Sequence, residues 1–318
     1  MTATFHAGEC AVQQRAGVAE RMAEIGPRVI RDYMPDQHRD FFAQLPFVVL
    51  GSVDAQGQPW ASVLAQPPGF IRSPDATLLR LQALPDAADP LAQTLQPGAS
   101  IGLLGIEPHT RRRNRANGRV VALDGRGFGL RIEQSFGNCP KYIQAREPVY
   151  VASAAAPVAA VASSQLDAAA LQLVLGADTF FIATAHPQAL QPEGRADGVD
   201  VSHRGGKPGF VRVELDASGQ QWLTAPDFFG NFFFNTLGNL AVHPQAGLLF
   251  IDYAKGDLLQ VAVRVEILWD GPDLAGFAGA QRLLRMQVLG ALRRPGALAL
   301  RWGEAQLSPV LEATGVWA

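Results

Sequence analysis

The sequence contains few cysteines, and this shortage narrows the class of protein. Two of its 318 residues are cysteine, Cys10 and Cys139, and neither belongs to a CxxC pair or a Cys/His cluster. This spacing argues against a disulfide framework and against a metal site, and it suits a reducing cytoplasm. Charged residues make up 18% of the chain and hydrophobic residues 48%, proportions typical of a globular protein.

A strong net charge and long apolar segments are also missing. The formal net charge is −2 at pH 7, which gives no general attraction to nucleic acid or an anionic membrane. The longest uncharged stretch, residues 148–166, is rich in Ala and Ser and too weakly apolar to span a bilayer. The first residues lack the apolar h-region of a secretory signal. The sequence therefore predicts a cytoplasmic protein with neither a nucleic-acid nor a membrane partner.

The chain does contain a long internal repeat. Ser62 and a Pro-Gly-Phe triplet at 68–70 recur as Ser202 and a Pro-Gly-Phe triplet at 208–210. Further along, Gly-Leu-Leu at 102–104 returns at 247–249, so the offset widens from 140 (62 to 202) to 145 (102 to 247). Units of this length are too long for a solenoid, and they predict two tandem domains of one fold.

Within both units, short alternating segments separated by turns predict β-strands. Residues 47–53 and 60–64 are strand-like, for example, and Asp-Ala-Gln-Gly at 54–57 is a turn signal. One helix per unit and many hairpins favour a mainly β chain of small barrels with peripheral helices. No GxGxxG follows a strand, which argues against a Rossmann dinucleotide site. The predicted units are a helical extension at 1–45, a first barrel at 46–147, a linker at 148–163, and a second barrel with a C-terminal extension at 164–318.

Segment 200–210, Asp-Val-Ser-His-Arg-Gly-Gly-Lys-Pro-Gly-Phe, is the densest candidate site. Its glycines would let a flat or anionic ligand approach the main chain, and its cations can donate charge-assisted hydrogen bonds to phosphate. The alternative is a polar hairpin loop in which the glycines only turn the chain. The candidate residues are Ser202, His203, Arg204, Gly205, Gly206, Lys207 and Phe210.

A second candidate lies at 226–239, where a Gly-Asn pair is predicted to open a helix that ends at Val242. The free N–H groups and partial positive charge of a helix start attract an anion, and this singles out Asn231, Asn235 and Thr236. The phenylalanines around them would wall an aromatic ring, or they would simply belong to the core.

Two further candidates lie in the first unit. The run 110–119 holds five arginines, and strand alternation would place Arg113 and Asn117 on one face, where they could clamp a phosphate. A nucleic-acid patch and a solvated hairpin tip are the alternatives, and the absence of a second basic run disfavours the first. In segment 135–144, Asn138 and Lys141 are candidate ligand contacts, whereas a buried, inert role is expected for Cys139.

Together these segments resemble the flavin-nucleotide-binding proteins of the pyridoxamine 5′-phosphate oxidase-related superfamily, in its long two-barrel branch. The resemblance implies tandem FMN-binding split β-barrels that form an intrachain pseudo-dimer, with FMN between the barrels. The superfamily's basic pair falls on Asn235 and Thr236, so Arg204, Lys207 or the arginines around Arg113 would have to neutralise the phosphate. The N–H groups of the 205–206 glycine pair would lie near the flavin N5/O4 edge.

The resemblance also implies how many flavins bind and what the protein does. In the first unit the region at 89–95 is shortened and lacks the Gly-Asn pair, which predicts one principal flavin per chain. The expected function is an FMN-dependent oxidoreductase that acts on a small, unidentified substrate, with NAD(P)H or a reductase as electron donor. The alternatives are a non-enzymatic flavin-binding or carrier protein and, less favoured, a haem- or deazaflavin-binding protein. No catalytic residue is identified, and a monomer or homodimer is expected.

Overall fold

A computed structural model describes residues 3–151 and 159–317. The helices are α1 (Ala7–Arg15), α2 (Ala19–Val29), α3 (Asp36–Ala43), α4 (Pro90–Thr94), α5 (Ala168–Gly176), α6 (Asn235–Val242) and α7 (Pro272–Gly276). The strands up to residue 150 are β1 (Phe47–Val53), β2 (Pro59–Ala65), β3 (Ile71–Asp75), β4 (Leu78–Leu81), β5 (Ser100–Glu107), β6 (Arg112–Asp124), β7 (Gly127–Gly137) and β8 (Pro148–Tyr150). The later strands are β9 (Val161–Ser163), β10 (Thr179–Ala185), β11 (Val199–Gly205), β12 (Arg212–Leu215), β13 (Gln221–Phe228), β14 (Gln245–Ile251), β15 (Leu258–Leu268), β16 (Ala280–Arg294) and β17 (Leu300–Trp302).

Two large antiparallel sheets share one topology. The first has the order β2-β1-β5-β6-β7-β4-β3, and the second has the order β11-β10-β14-β15-β16-β13-β12. Each strand of the first sheet has its counterpart nine strands later, at the same place in the order. The prediction of a mainly β chain built from tandem split barrels, which together form a pseudo-dimer, is thereby confirmed.

The repeated residues also occupy equivalent places in the strand registers. Ser62 on β2 and Ser202 on β11 hold the same position relative to the strands paired with them, β1 and β10. One strand further across, the same registers lead to Leu103 on β5 and Leu248 on β14. The sequence repeat therefore corresponds to a residue-by-residue structural equivalence.

The barrels face each other across an interface, called the seam below, where two repeated glycines permit close approach. A Cβ on Gly102 would lie 2.8 Å from the carbonyl oxygen of Val199 in the other barrel. A Cβ on Gly247 would clash with the carbonyl oxygen of Pro59. Because Val199 and Pro59 begin equivalent strands, the two contacts are related by a pseudo-twofold axis.

Apolar burial is the main stabilising term in folding, and its three largest clusters are the two barrel interiors and the seam. The core of the first barrel includes Leu50, Leu79 and Phe128, and that of the second includes Phe180, Val261 and Met286. The seam has its own buried cluster, drawn from both halves: Phe47, Val49, Ala61, Val63, Leu104, Ile106, Ile143, Phe181, Ala183, Val201, Leu249, Ile251, Leu258, Leu298, Leu300 and Trp302.

The segments outside the two barrels are built into the same body. Residues 1–45, predicted as a helical extension, contain α1, α2 and α3, and α1 lies against α6 where Gly8 meets Gly238. At the ends of the predicted linker 148–163, β8 pairs with β17 and β9 pairs with β16; residues 152–158 fall outside the described part. Within the described ranges, none of the helices has the length and apolar character needed to cross a membrane.

Candidate functional site

A cavity opens on the seam and is lined by both halves of the chain. Its cavity volume is about 90 Å³, and an adjoining pocket of about 60 Å³ shares several of its walls. Strand β11, loop 228–234 and the start of α6 line it from the second barrel, and β6 and segment 138–142 line it from the first. Among the residues singled out from sequence, those that line it are Ser202, His203, Arg204, Gly205, Asn231, Asn235, Thr236, Arg113, Asn138 and Lys141.

Arg115, at the base of the cavity, joins the two barrels. Its Nε donates to the carbonyl oxygen of Val201 at 3.1 Å and lies 3.0 Å from a carboxylate oxygen of Asp200. Its Nη1 donates to Asn235 Oδ1 at 3.2 Å, and its Nη2 donates to Ser202 Oγ. The charge of this buried guanidinium is balanced by Asp200, so its role at the seam is structural.

Arg113 lies two residues earlier on the same face of β6, but its charge is not balanced. Its Nε donates to the carbonyl oxygen of Cys139 at 2.8 Å, and its Nη1 lies 3.3 Å from His203 Nδ1. Among the described residues, no carboxylate lies within ion-pair distance of this guanidinium. Burial, followed by repulsion from Arg115 and Arg204, lowers the pKa of Arg113 to about 9. A cation held in this way next to a cavity is a ready partner for an anion.

His203 is almost completely enclosed and stays neutral. Burial is the main cause that holds the pKa of this imidazole well below its usual value, and the neighbouring Arg113 and Arg204 lower it further. Since a guanidinium can only donate, Nδ1 of the neutral ring accepts from Arg113 and the ring proton lies on Nε2. His203 therefore orients Arg113 and adds no charge to the cavity.

In the outer wall, around Arg204, the carboxylate of Asp227 is shared with a second arginine, Arg282, which is buried outside the lining. Arg204 Nε lies 3.3 Å from one oxygen of Asp227, and Arg282 Nε lies 3.0 Å from the other. Burial is the leading cause that lowers the pKa of Arg282, and Asp227 counteracts it. Two cations against one anion give this part of the site an excess of positive charge. The unbalanced charge of Arg113 adds to that excess.

Aromatic side chains form the opposite wall. Tyr142 stacks on Phe228, with ring centroids 4.9 Å apart and an interplanar angle of 23°, and Lys141 Nζ lies 4.7 Å from the ring centroid of Phe229. Tyr142, Phe232 and Phe234 have φ angles of 64°, 63° and 61°, in the left-handed region that bulky residues avoid. Strained residues tend to cluster at ligand sites, and these three line one cavity and its adjoining pocket.

The phenylalanines also change where the helix begins. The sequence predicts a start at Asn231, but α6 begins at Asn235, because Phe232 and Phe234 adopt left-handed conformations. Asn231 instead accepts a hydrogen bond through Oδ1 from the N–H of Phe233, at 3.2 Å. Thr236, in the first turn of the helix, donates to Ser202 Oγ at 2.9 Å.

The glycine pair at the end of β11, Gly205 and Gly206, serves packing. A Cβ on Gly205 would clash with the carbonyl oxygen of Tyr142, and a Cβ on Gly206 would clash with the ring of Phe210. The N–H of Gly206 donates to the carbonyl oxygen of Asp178 at 3.0 Å. That N–H group is therefore not free for a ligand, in contrast to the expectation drawn from the resemblance.

Three further candidate residues lie away from the cavity. Lys207 Nζ donates to the carbonyl oxygen of Thr314 at 2.7 Å, and the residue is absent from the lining of the cavity and of the adjoining pocket. Phe210 is buried in the second barrel. Its ring stacks on Phe180 with centroids 5.6 Å apart.

Asn117 is the third. Its Oδ1 accepts from the N–H of Leu103 at 3.1 Å, and its Nδ2 lies 3.4 Å from a carboxylate oxygen of Asp200. These hydrogen bonds hold β6 against β5 and β11, next to the cavity and outside its lining.

Sequence reasoning did not select several residues that build the site. Arg115 carried a usable signal, since it alternates with Arg113 along the strand, but Asp227 and Arg282 carried none.

Glu9 on α1 was also missed, and it is buried next to the start of α6. It accepts from Asn235 Nδ2 at 2.6 Å and from the N–H of His6 at 2.9 Å. Burial raises the pKa of this carboxyl to about 8.

Asn138 adds an unmet hydrogen-bonding group to the lining. Its Nδ2 is buried and has no hydrogen-bond partner among the described residues. Buried polar groups are almost always paired in native proteins, so an exception inside a cavity points to a missing ligand.

The fold and this cavity together define a tandem split-barrel protein with one cationic, aromatic-walled site at its seam. Residues 34–160, which contain all seven strands of the first barrel, match the family model for pyridoxamine 5′-phosphate oxidase. The match covers the first barrel, which is therefore similar to the pyridoxamine 5′-phosphate oxidase family, and it does not extend over the second barrel. A search of the curated proteins finds no sequence match.

Three solved structures show a weaker likeness. HupZ of Group A Streptococcus is 13% identical, with a TM-score of 0.27, over 33% of this chain and 93% of its own. HutZ, the heme storage protein from Vibrio cholerae, is 13% identical, with a TM-score of 0.27, over 41% and 95%. An FMN-binding protein from Syntrophomonas wolfei is 12% identical, with a TM-score of 0.25, over 38% and 80%. Scores this low support no inference about the site.

Proposed function

We propose that the cavity binds FMN, with the phosphate next to Arg113 and the flavin ring against the aromatic wall. The observation that carries the proposal is the charge of Arg113, which has no carboxylate partner among the described residues and faces a cavity. A phosphate monoester carries a charge of roughly −1.5 to −2 near neutral pH and accepts several hydrogen bonds. It would balance the excess positive charge of Arg113 and of the outer wall around Arg204.

The other polar groups of the lining suit the same ligand. The unpaired Nδ2 of Asn138 offers a donor. The Ser202 hydroxyl, which accepts from Thr236 and donates to Asp200, holds the start of α6 against β11. Phe228, Phe229 and their neighbours offer apolar faces for a ring. Asn235 is occupied by Glu9 and Arg115, so we assign it to positioning the helix start.

We further propose that the protein is an FMN-dependent oxidoreductase of the cytoplasm that acts on a small substrate. Bound FMN supplies the hydride or electron transfer, and the chain binds it, orients it and excludes water. The electron donor would be NADH, NADPH or a reductase. The catalytic unit is the pair of barrels at 46–147 and 164–318, joined within one chain that is a monomer or homodimer.

A non-enzymatic flavin carrier is the second candidate, and the state of the titratable groups favours it. His203 is enclosed and already accepts from Arg113, and Asp227 is held between Arg204 and Arg282. A group held in this way is poorly placed to exchange protons with a substrate. Reduction of the bound flavin by NADH, NADPH or an added reductase would support the oxidoreductase; a flavin that none of them reduces would support the carrier.

The absorbance spectrum of the purified protein is the first test. The visible absorption bands of an oxidised flavin, with release of FMN on denaturation, are expected. A colourless protein that cannot be reconstituted with FMN would overturn the proposal, and a Soret band would indicate haem instead. Arg204→Ala should weaken FMN binding by about 1–3 kcal/mol. An unchanged affinity would remove Arg204 from the phosphate site.

A further inference from the structure

The pseudo-twofold axis of the two barrels generates a second position equivalent to the cavity. On β6, Arg115 is paired with Leu104 of β5; on β15, Gln260 is paired with Leu249 of β14. Leu104 and Leu249 end the repeated Gly-Leu-Leu triplets, so Gln260 holds the place of Arg115. The same registers put Leu258 in the place of Arg113.

The hydrogen bonds confirm this correspondence. Gln260 Nε2 donates to the carbonyl oxygen of Ala61 at 2.8 Å and to Ser62 Oγ at 3.2 Å. Arg115 makes the same two contacts in the open cavity, with residues exactly 140 positions later, Val201 and Ser202. The second position is therefore built from the same framework.

Several polar or aromatic side chains of the open cavity are replaced there by small or apolar ones. Leu258 replaces Arg113, and Val63 replaces His203 in the register of β2 against β1. Leu258 is 1% exposed and Val63 6%, and both belong to the seam cluster beside Trp302. The repeat that relates Pro-Asp at 85–86 to Pro-Asp at 226–227 also places two alanines, at 87–88, where the open cavity has two phenylalanines.

A carboxylate of the protein lies at this second position. Asp89, 1% exposed, accepts from Ser62 Oγ at 2.5 Å and from Arg294 Nη1 at 2.5 Å. It also accepts from the N–H of Leu91 at 2.9 Å. On β16, Arg294 is paired with Leu258; on β7, Asn138 follows Gly137 and its N–H donates to the carbonyl oxygen of Arg113. Arg294 therefore takes the place of Asn138.

The two positions complement each other in their polar groups. In the open cavity the donor at this place, Asn138 Nδ2, has no partner among the described residues. In the second position the donor is Arg294, and Asp89 satisfies it. The anion that is missing from one position is supplied by the protein itself in the other.

We propose that the second position is an anion site closed from within, where the Asp89 carboxylate stands in for a ligand phosphate. The chain then takes one phosphorylated ligand, although its two barrels provide the framework for two sites. The proposal deepens the proposed function and rests on it for the identity of the ligand. The closure itself rests on Asp89, Arg294 and the apolar replacements.

Removal of the carboxylate tests the closure without flavin. Asp89→Ala removes the close, buried counter-ion of Arg294 and leaves only the exposed carboxylate of Asp86 at 3.9 Å. The Tm of this variant should therefore fall in a buffer free of small carboxylates and phosphate. Millimolar acetate or inorganic phosphate should then raise that Tm by several degrees more than the Tm of the unmodified protein, because these anions bind the folded state. The double variant Asp89→Ala/Arg294→Met should show no such extra rise.

A matched control is Asp86→Ala, whose carboxylate is half-exposed and lies 3.9 Å from Arg294. This variant should respond to acetate and phosphate as the unmodified protein does. An equal rise in the double variant, or no extra rise in Asp89→Ala, would overturn the closure.

Titration of the unmodified protein with FMN gives a second, independent measurement. Binding should saturate at one FMN per chain, and saturation at two would overturn the proposal even where Asp89→Ala does not fold. A protein that binds no FMN, but whose Asp89→Ala variant is stabilised by acetate, would contradict the proposed function and leave the closed anion site standing.

Discussion

Two arginines on one strand show how position decides the role of a residue. Arg113 and Arg115 point to the same face of β6, and both lie under the seam. Arg115 meets Asp200 at 3.0 Å and is fully committed to contacts between the barrels. Arg113 meets only a carbonyl oxygen and a neutral imidazole, so its charge remains for a ligand. Removing each should therefore have a different consequence.

For Arg113→Ala we expect weaker FMN binding by about 1.5–3 kcal/mol, or roughly 10- to 150-fold in Kd, since a charge-assisted contact to phosphate is lost. Riboflavin, which lacks the phosphate, should bind the variant and the unmodified protein equally. Fluorescence titration with both ligands measures this. The control is Arg112→Ala, an exposed neighbour whose guanidinium lies over Phe41. Equal losses for FMN and riboflavin would contradict a phosphate role for Arg113.

Glu9 gives a prediction about pH. Its pKa is raised by burial from 4.5 to about 8, so the folded state holds a proton that the unfolded state releases. Folded chains therefore bind more protons between these values, and stability from this group falls as pH rises. Burial lowers the pKa of the adjacent His6 to about 4, so that side chain stays neutral above pH 6.5. Between pH 6.5 and 8, the change of the free energy of unfolding with pH therefore reports on Glu9 and not on His6.

Across that interval, the free energy of unfolding of the unmodified protein should fall relative to that of Glu9→Gln. The gap should grow by at most about 1.4 kcal/mol for each pH unit, because one proton is involved. Urea unfolding at several pH values measures it. A gap that is constant with pH, or that narrows as pH rises, would show that Glu9 is already ionised in the folded protein.

The sequence was informative about residues wherever neighbours along one strand share a site. Ser202, Arg204 and Arg113 were singled out from local patterns, and they line the cavity. Lys207 was selected from the same pattern, but its ammonium group donates to the carbonyl oxygen of Thr314, outside the cavity. Glu9 reaches the site only because α1 folds back onto a helix 226 residues later, and no local pattern encodes such a contact.

At the scale of secondary-structure elements, the segment before α6 departs most from its sequence pattern. A Gly-Asn pair followed by Asn and Thr is typical of a helix start, and propensity alone places that start at Asn231. Phe232 and Phe234 take left-handed conformations instead, with rings that contact Phe229 and Arg282. Tertiary packing holds a conformation that the residue type disfavours, which a local pattern cannot predict.

The contact between α1 and α6 depends on Gly238. A Cβ there would lie 2.7 Å from the backbone nitrogen and Cα of Glu9. Gly238→Ala should therefore destabilise the protein by about 1–3 kcal/mol through overpacking, although alanine is the better helix former by about 1 kcal/mol. The control is Gly176→Ala at the end of α5, where a Cβ meets nothing within 4 Å. We expect that variant to be unchanged or slightly more stable.

Urea unfolding compares the two glycine variants. A Gly238→Ala protein as stable as Gly176→Ala would mean that α1 is not docked at this point. FMN affinity should follow the same order, since α1 brings Glu9 to the hydrogen bond that holds Asn235.

At the scale of the whole molecule, the repeat predicted more than any local feature did. It gave two domains of one fold, and the strand orders and registers agree with it residue by residue. The repeat does not predict that the two equivalent positions at the seam differ, one being an open cavity and the other closed. Leu258 and Val63 look like ordinary strand residues in the sequence, and only the registers reveal that they stand where Arg113 and His203 stand in the other half.

The seam itself yields the last prediction. Gly247 lies against β2 so closely that a Cβ would come within 2.6 Å of the Cα of Trp60. Gly247→Ala should push the barrels apart at this edge and destabilise the protein by about 1–3 kcal/mol. Because the cavity is lined by both barrels, FMN affinity should fall as well. The control is Gly129→Ala on β7, where a Cβ would make ordinary contacts at 3.6 Å. If calorimetry and FMN titration find the two variants alike, the barrels are not held together at this glycine, and the cavity does not depend on their close approach.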